Sequence, residues 1–455
     1  MAGNTLLTIS MITNEALPVL ANECILTDKF NRQYDKEFGR KGEKIGGTCN
    51  VRVPPRYIGT FGPALNVEAA VENYFPVSIL YQYHVDMQFS TINFALDIDE
   101  FSERFIMPAC KAVANRIDSD GAYFAMQNTA NRTGTPGTPP TAFKSFSDAR
   151  AYLVSEGMPK GMTPTAVLHP FANSAMADSV KGLYNPQIQI ADAYENGLIA
   201  KKTAGADWFE DANIANYTTG SLLGTPVLAA ATSPSGGTAL LTTGFAQTGT
   251  LELSGLTTSS AACKVGDTIQ IKGVYPVNPQ NRSQYGNVLK QFVVLPPGGY
   301  TQVQGAASPG GPVFASATLN HGTFTATGTN AGLYTATSGG LLTVTIGECV
   351  ISGGQFQNCT APVSPYTVTL NGGTALATAT TENLYFHRDA FALAMVDLPL
   401  PRTAVEASRA YDEDLGMSIR ICTQYTINND AEPTRLDVAY GFASLYRSLG
   451  VRVSG

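Results

Sequence analysis

From Ile79 to Phe89 the chain alternates: Ile79, Tyr81, Tyr83, Val85, Met87 and Phe89 fall on one side, and Leu80, Gln82, His84, Asp86 and Gln88 on the other. A period of two predicts a long strand with one buried face. Ile92, Phe94, Leu96 and Ile98 continue that period. From Asp99 the apolar positions Phe101, Phe105, Ala109, Val113, Ile117 and Phe124 take helical spacing. The pattern predicts a helix over 99–131, roughly 50 Å long, bent at Pro108 and ended by the loop Thr133 to Pro140. A smaller helix is predicted over Ser147 to Glu156, with Gly157 as its stop. Upstream, Thr13, Asn14 and Glu15 can start a short helix to about Asn22. Pro54, Pro55 and several glycines then make the next stretch read as an extended arm.

Between Leu222 and Thr380 the pattern changes. Short apolar runs, Leu251 to Leu256, Thr268 to Ile271, Gln291 to Leu295 and Leu341 to Ile346, stand between Gly and Pro clusters. Short strands with turn signals predict an all-β barrel or sandwich. These 159 residues hold 24 of the 44 glycines and 26 threonines but only seven charged residues: Glu252, Lys264, Asp267, Lys272, Arg282, Lys290 and Glu348. The shifts near Ser221 and Glu382 mark the ends of an inserted module.

Charged residues make up 14% of the 455, against about 25% in an ordinary soluble protein. A surface short of charge suits contact with protein. The net charge of -7 argues against sequence-independent DNA binding and against anionic membranes. No run of about 18 apolar residues is present. A signal peptide is not expected, and the seven cysteines, without a CxxC, read as reduced thiols of a cytoplasm.

Catalytic spacing is missing too. There is no GxxxxGK[ST], GxSxG, HExxH or zinc-type Cys/His array, and His84, His169, His321 and His387 are isolated. The acids at Asp97, Asp99, Glu100 and Glu103, and at Asp412, Glu413 and Asp414, read as a helix start and a turn rather than paired catalytic or metal-binding carboxylates. No enzyme, cofactor or metal is expected. The arm carries Lys29, Arg32, Lys36, Arg40, Lys41, Lys44, Arg52 and Arg56, interleaved by only four acids. Its tyrosines are Tyr34 and Tyr57, and protein contact suits it better than base stacking.

Ordered blocks along the chain resemble a known family. They include TNEALPVLANE (Thr13 to Glu23), NRQYDKEF (Asn31 to Phe38), VRVPPRY (Val51 to Tyr57), DEFSERFIMPACKAVANRIDSD (Asp99 to Asp120) and VLHP (Val167 to Pro170). WFEDANIANYTTG (Trp208 to Gly220), KVGDTIQIKGVYPVNPQNRSQYGNVLKQFVV (Lys264 to Val294), FHRDAFAL (Phe386 to Leu393), SIRICTQYTINND (Ser418 to Asp430) and RLDVAYGFASLYR (Arg435 to Arg447) follow. The sequence resembles the major capsid proteins of tailed bacteriophages, in the coat family of the short-tailed Salmonella-phage type.

The resemblance implies an α+β fold of the Hong Kong 97 capsid type with an inserted antiparallel β-barrel. It divides the chain into an N-terminal arm (1–47), extended loop and peripheral strands (48–98), spine helix (99–132), peripheral and axial domain (133–221), inserted β domain (222–380) and closing strands (381–455). It implies an icosahedral shell around double-stranded DNA, in a virion assembled in the host bacterial cytoplasm. The partners would be hexamers and pentamers of the same chain, a scaffolding protein, a portal and possible decoration proteins, with no membrane. Candidate assembly contacts are Arg32, Lys36, Arg40, Lys41 and Lys44 on the arm, and Arg282 in the loop Val277 to Gly286. A Thr/Gly-rich surface adhesin is the alternative reading.

Overall fold

The computed structural model describes residues 13–14, 16–18, 20, 23–32, 48–53, 56–57, 59–60, 62–63, 65, 67, 73–90, 107–159, 161–180, 205–229, 240–241, 244–259, 261–298, 314–315, 317–326, 331–371, 379–401, 406–412, 417–426 and 431–454. In chain order, β1 (Thr48–Val53), β2 (Asn73–Ser78) and β3 (Tyr81–Ser90) precede helix α1 (Met107–Asn128). Next come β4 (Asn131–Thr133), α2 (Phe143–Ser155), β5 (Thr165–Leu168), α3 (Pro170–Val180), β6 (Asp207–Glu210) and β7 (Asn216–Thr218). The middle segment holds β8 (Gly224–Leu228), β9 (Leu240–Leu241), β10 (Thr248–Leu256), β11 (Ala261–Lys264), β12 (Thr268–Ile271), β13 (Gln291–Leu295), β14 (Thr323–Thr325), β15 (Leu333–Thr335), β16 (Leu342–Gly347), β17 (Val350–Ile351) and β18 (Val368–Leu370). β19 (Ala379–Thr381), β20 (Asn383–Phe386), β21 (Phe391–Met395), β22 (Glu406–Asp412), β23 (Met417–Thr423), β24 (Ala431–Ser444) and β25 (Gly450–Val453) complete it.

Two compact units result. The first comprises Met1–Val51, Tyr74–Gly121 and Phe391–Ala443; the second comprises Arg52–Asn73, Ala122–Ala390 and Ser444–Gly455.

In the first unit β3 pairs antiparallel with β24 from Tyr81↔Tyr440 to Ser90↔Ala431. β24 pairs with β23, and β23 with β22, all antiparallel. The predicted alternation is visible in β3, where His84, Asp86 and Gln88 are exposed and Tyr81, Tyr83, Val85 and Met87 partly covered. From α1, Arg116 forms a 3.0 Å ion pair with Asp120 and lies 5.8 Å from the Tyr83 ring. Tyr440 donates its hydroxyl to Asp120 at 2.6 Å. The buried Asp118 carboxylate accepts the N–H groups of Ile25 (2.6 Å) and Thr27 (3.0 Å) as well as the Thr27 hydroxyl. That fastens the segment before Phe30 to the helix. Gly441 is required where strand meets strand, because a Cβ there would collide with the Ser78 carbonyl.

The described helix is shorter than its sequence pattern. Residues 99–106, and with them any bend ahead of Pro108, lie outside the described residues. At the other end, Asn128 Nδ2 donates to the Phe124 carbonyl (2.9 Å) and Thr129 Oγ1 to that of Ala125 (2.6 Å). Both side chains fold back onto carbonyls of the preceding turn, and residues 131–133 enter a sheet instead. The expectation of helix through 131 is corrected accordingly. α2 begins four residues before Ser147, and Gly157, at φ +88°, follows its end as expected.

In the second unit a five-stranded sheet runs β4-β25-β20-β5-β6. Phe146 of α2 packs on Trp208 of β6 at 4.9 Å. The middle segment forms the sheet β18-β12-β13-β16-β10-β8, antiparallel throughout. A bridge between Val227 and Thr367, with Leu228 N–H on the Tyr366 carbonyl at 3.0 Å, nearly closes it into a barrel. Inside lie Leu251, Leu253, Ile269, Ile271, Phe292, Val294, Val344 and Ile346, all buried. β12 and β13 coincide with the apolar runs read from sequence. The fold class is α+β with a nearly closed antiparallel barrel. The barrel enters and leaves through one antiparallel pair, β7 with β19.

Candidate assembly surfaces and the root of the barrel

A module inserted through two strands could swivel on them. Here it is gripped beyond that stem. Gln291 of β13 accepts the Arg132 N–H at 2.6 Å and donates to the Arg132 carbonyl at 3.1 Å, so its amide stands in for a ladder neighbour of β4. Asp267 of the barrel accepts N–H groups from Gly220 (3.0 Å) and Lys264 (2.7 Å) and the hydroxyl of stem residue Tyr217 (2.8 Å). Lys290 lies 3.1 Å from Glu156, just past α2, and 3.7 Å from Glu348. Tyr285 donates to Glu156 at 3.0 Å, and Glu348 accepts the Ser448 N–H at 2.9 Å.

A second pair, Arg132 with Glu382, is buried beside the stem. Arg452 is fully buried as well. Among the described residues its guanidinium nitrogens make no hydrogen bond; the group lies 5.7 Å over the Tyr217 ring, a cation–π placement. Burial lowers the Arg452 pKa against the opposing pull of Glu382. Burial also pushes the Glu156 and Asp267 carboxyls up. For Lys290 burial opposes the charge, but Glu156 and Glu348 outweigh it and the pKa ends above the ordinary lysine range. Tyr217 and Tyr285 are raised by burial first and then by Asp267 and Glu156 respectively.

The sequence candidates separate. Arg32 is turned into its own chain: its side chain is only 7% exposed, 3.4 Å from Asp28 and 3.4 Å from the Thr27 carbonyl. Five residues past Thr27, which Asp118 holds, this guanidinium is drawn back onto that turn. Lys36, Arg40, Lys41 and Lys44 lie outside the described residues. Arg282 sits at the tip of a tight hairpin, at φ +57°. Asn278 N–H reaches the Ser283 carbonyl at 2.9 Å and Arg282 N–H the Asn278 carbonyl at 2.8 Å. The hairpin base is tied to the host through Tyr285 and Glu156. The acids of the root were missed as functional residues; their signal was that a segment nearly devoid of charge retained them.

Among the described residues no cluster of His, Cys, Asp and Glu could hold a metal, and no helix is long and apolar enough to cross a membrane. Cys24, Cys110, Cys263, Cys349, Cys359 and Cys422 are free thiols. The chain presents a barrel poor in charge, rooted on an α+β host.

The family model described as "P22 coat protein - gene protein 5" matches residues 1–307, and the chain belongs to this family. It is a major capsid protein of a tailed phage, and its place is the virion capsid; the adhesin reading has no support. No curated protein matches the sequence. Solved structures similar to it include "Mycobacterium phage Che8" (10% identity, 94% of this chain and 90% of that chain, TM-score 0.43). "Capsid structure of the Cyanophage P-SCSP1u" shows 7% identity, covering 95% and 88%, with a TM-score of 0.38. "Asymmetric unit of bacteriophage PhiM1 mature capsid" shows 10%, 90%, 81% and 0.36 in the same order.

Removing one partner of a buried ion pair strands the other charge. Lys290→Met is expected to lower unfolding free energy by about 3–5 kcal/mol in urea titrations. The double variant Glu156→Leu, Lys290→Met is expected to recover much of that loss; equal losses would contradict the grip. Lys290, Tyr217 and Tyr285 hold their protons more tightly folded than unfolded. Their contribution is therefore complete below about pH 10 and lost as pH rises through the folded values. Thermal midpoints are expected to fall above that pH, less steeply in Tyr285→Phe, whereas an unchanged midpoint would contradict the assignment.

Proposed function

We propose that many copies of this chain assemble, as hexamers and pentamers, into an icosahedral shell enclosing double-stranded DNA, with no chemical step by the chain itself. The single observation that carries this is the match of residues 1–307 to the coat family. The subunit is read as Hong Kong 97 type. In that reading 1–47 is the arm, 48–98 the extended loop and peripheral strands, and 99–132 the spine-helix segment. Residues 133–221 and 381–455 make the peripheral and axial domains, and 222–380 the inserted barrel. Scaffolding protein and portal are the expected partners during assembly in a bacterial cytoplasm, with decoration proteins a further class of partner for the finished shell.

Weak contacts suffice for such assembly. One of about 4 kcal/mol corresponds to only about millimolar affinity, but each subunit makes several, so closure is cooperative while errors can dissociate. The net charge of -7 disfavours sticking of packaged DNA to the wall. The arm cations Lys36, Arg40, Lys41 and Lys44 supply a basic patch for an acidic neighbour, and the Arg282 hairpin a reach toward an adjacent capsomer.

Negative-stain microscopy of the chain co-expressed with its scaffolding protein is expected to show closed shells; a chain that stays monomeric under all assembly conditions contradicts the reading. Shortening the hairpin within 278–283 leaves Tyr285 on Glu156. It is expected to lower the temperature at which shells come apart, and unchanged heat stability would remove the hairpin from the contact set.

A further inference from the structure

One face of the first unit's sheet carries a row of charges set by register. His84 of β3 stands opposite Asp437 of β24, Asp437 opposite Arg420 of β23, and Arg420 opposite Arg409 of β22. One pair along, Asp86 faces Arg435. Directly opposed residues share a face and interact. Asp437 is fully buried and takes both neighbouring arginines, Arg420 at 2.6 Å and Arg435 at 2.6 Å. Arg420 also donates Nη1 to the Pro399 carbonyl at 2.5 Å.

The row then breaks its alternation. Arg409 is exposed and stands against another arginine, an arrangement that costs stability across a strand pair. Among the described residues no carboxylate lies within ion-pair distance of it, and no strand pairs with the far side of β22. Among the described residues no acid stands at the next position outward. The chain carries 36 Asp and Glu against 29 Lys and Arg, so a second copy presents a surplus of the complementary charge.

We propose that the open edge of β22 is a contact between copies of this chain, in which a carboxylate of the second copy sits against Arg409. The contact is heterologous, edge to a different surface, as ring-forming contacts are. The inference rests on the coat reading. A charge on an open strand edge can also serve only to deter unwanted strand pairing, and an acid deters as well as a base.

That difference makes Arg409→Glu the test, read beside wild type and Arg409→Lys in co-expression with particle yield measured by sedimentation. The introduced carboxylate faces Arg420, so the monomer's thermal midpoint is expected to stay equal or rise, while particle yield falls at least about tenfold. Arg409→Lys is expected to keep most of the yield. Wild-type yield from Arg409→Glu overturns the proposal, as does a normal yield of particles that have lost only a second protein species. Should Arg409→Glu fail to fold, Arg409→Gln is compared with Arg409→Lys: loss confined to Gln supports the contact, and equal yields overturn it. Absence of particles from wild type itself would instead strike the coat reading, independently of Arg409.

Discussion

The buried polar grip at the base of the barrel is the constraint on which the second unit depends. A barrel joined to its host only by β7 and β19 would be a bead on two strands. Instead, Asp267, Lys290, Gln291 and Glu348 reach out of it into groups supplied by residues 132, 156, 217, 220 and 448. Buried charges add little net stability, since desolvation offsets most of the attraction. They do make every other orientation of the barrel expensive, because any swivel strands a charge or an amide away from water. The grip therefore specifies geometry more than it supplies energy, which suits a subunit whose surfaces must meet neighbours in register.

The same economy of charge links composition to function. Six of the seven charged residues between 222 and 380 are turned inward or half-covered: Asp267 and Lys290 are buried, and Glu252, Lys264, Arg282 and Glu348 are half-covered. Lys272 is the one exposed charge among them, in a segment rich in Thr and Gly. Such a segment has little long-range field and low desolvation cost on contact. The first unit distributes its charge differently, in a row of ion pairs along one sheet face.

Elements ruled by local periodicity were legible in the sequence. The period-two run before Ser90 became β3, and the apolar runs 268–271 and 291–295 became β12 and β13 with the same ends. The stem, 216–218 paired with 379–381, lies beside the composition shifts near Ser221 and Glu382. The end of α1 was misread because apolar spacing does not register how Asn128 and Thr129 close the last turn onto its own carbonyls. The covering of Arg32 was not legible because the turn it folds back onto is held by Asp118, about 90 residues away. The root network was invisible for the same reason: its pairs, such as 132 with 291 and 156 with 290, are more than 100 residues apart and obey no short-range pattern.

If the grip governs the second unit, its amides open only when the barrel does. Hydrogen exchange of the intact chain, followed by mass spectrometry on peptides covering Arg132, Gly220, Lys264 and Ser448, reads this directly. Protection equal to that of β13 and β16 is the result the account requires; rapid exchange at those four amides beneath a still-protected barrel would contradict it.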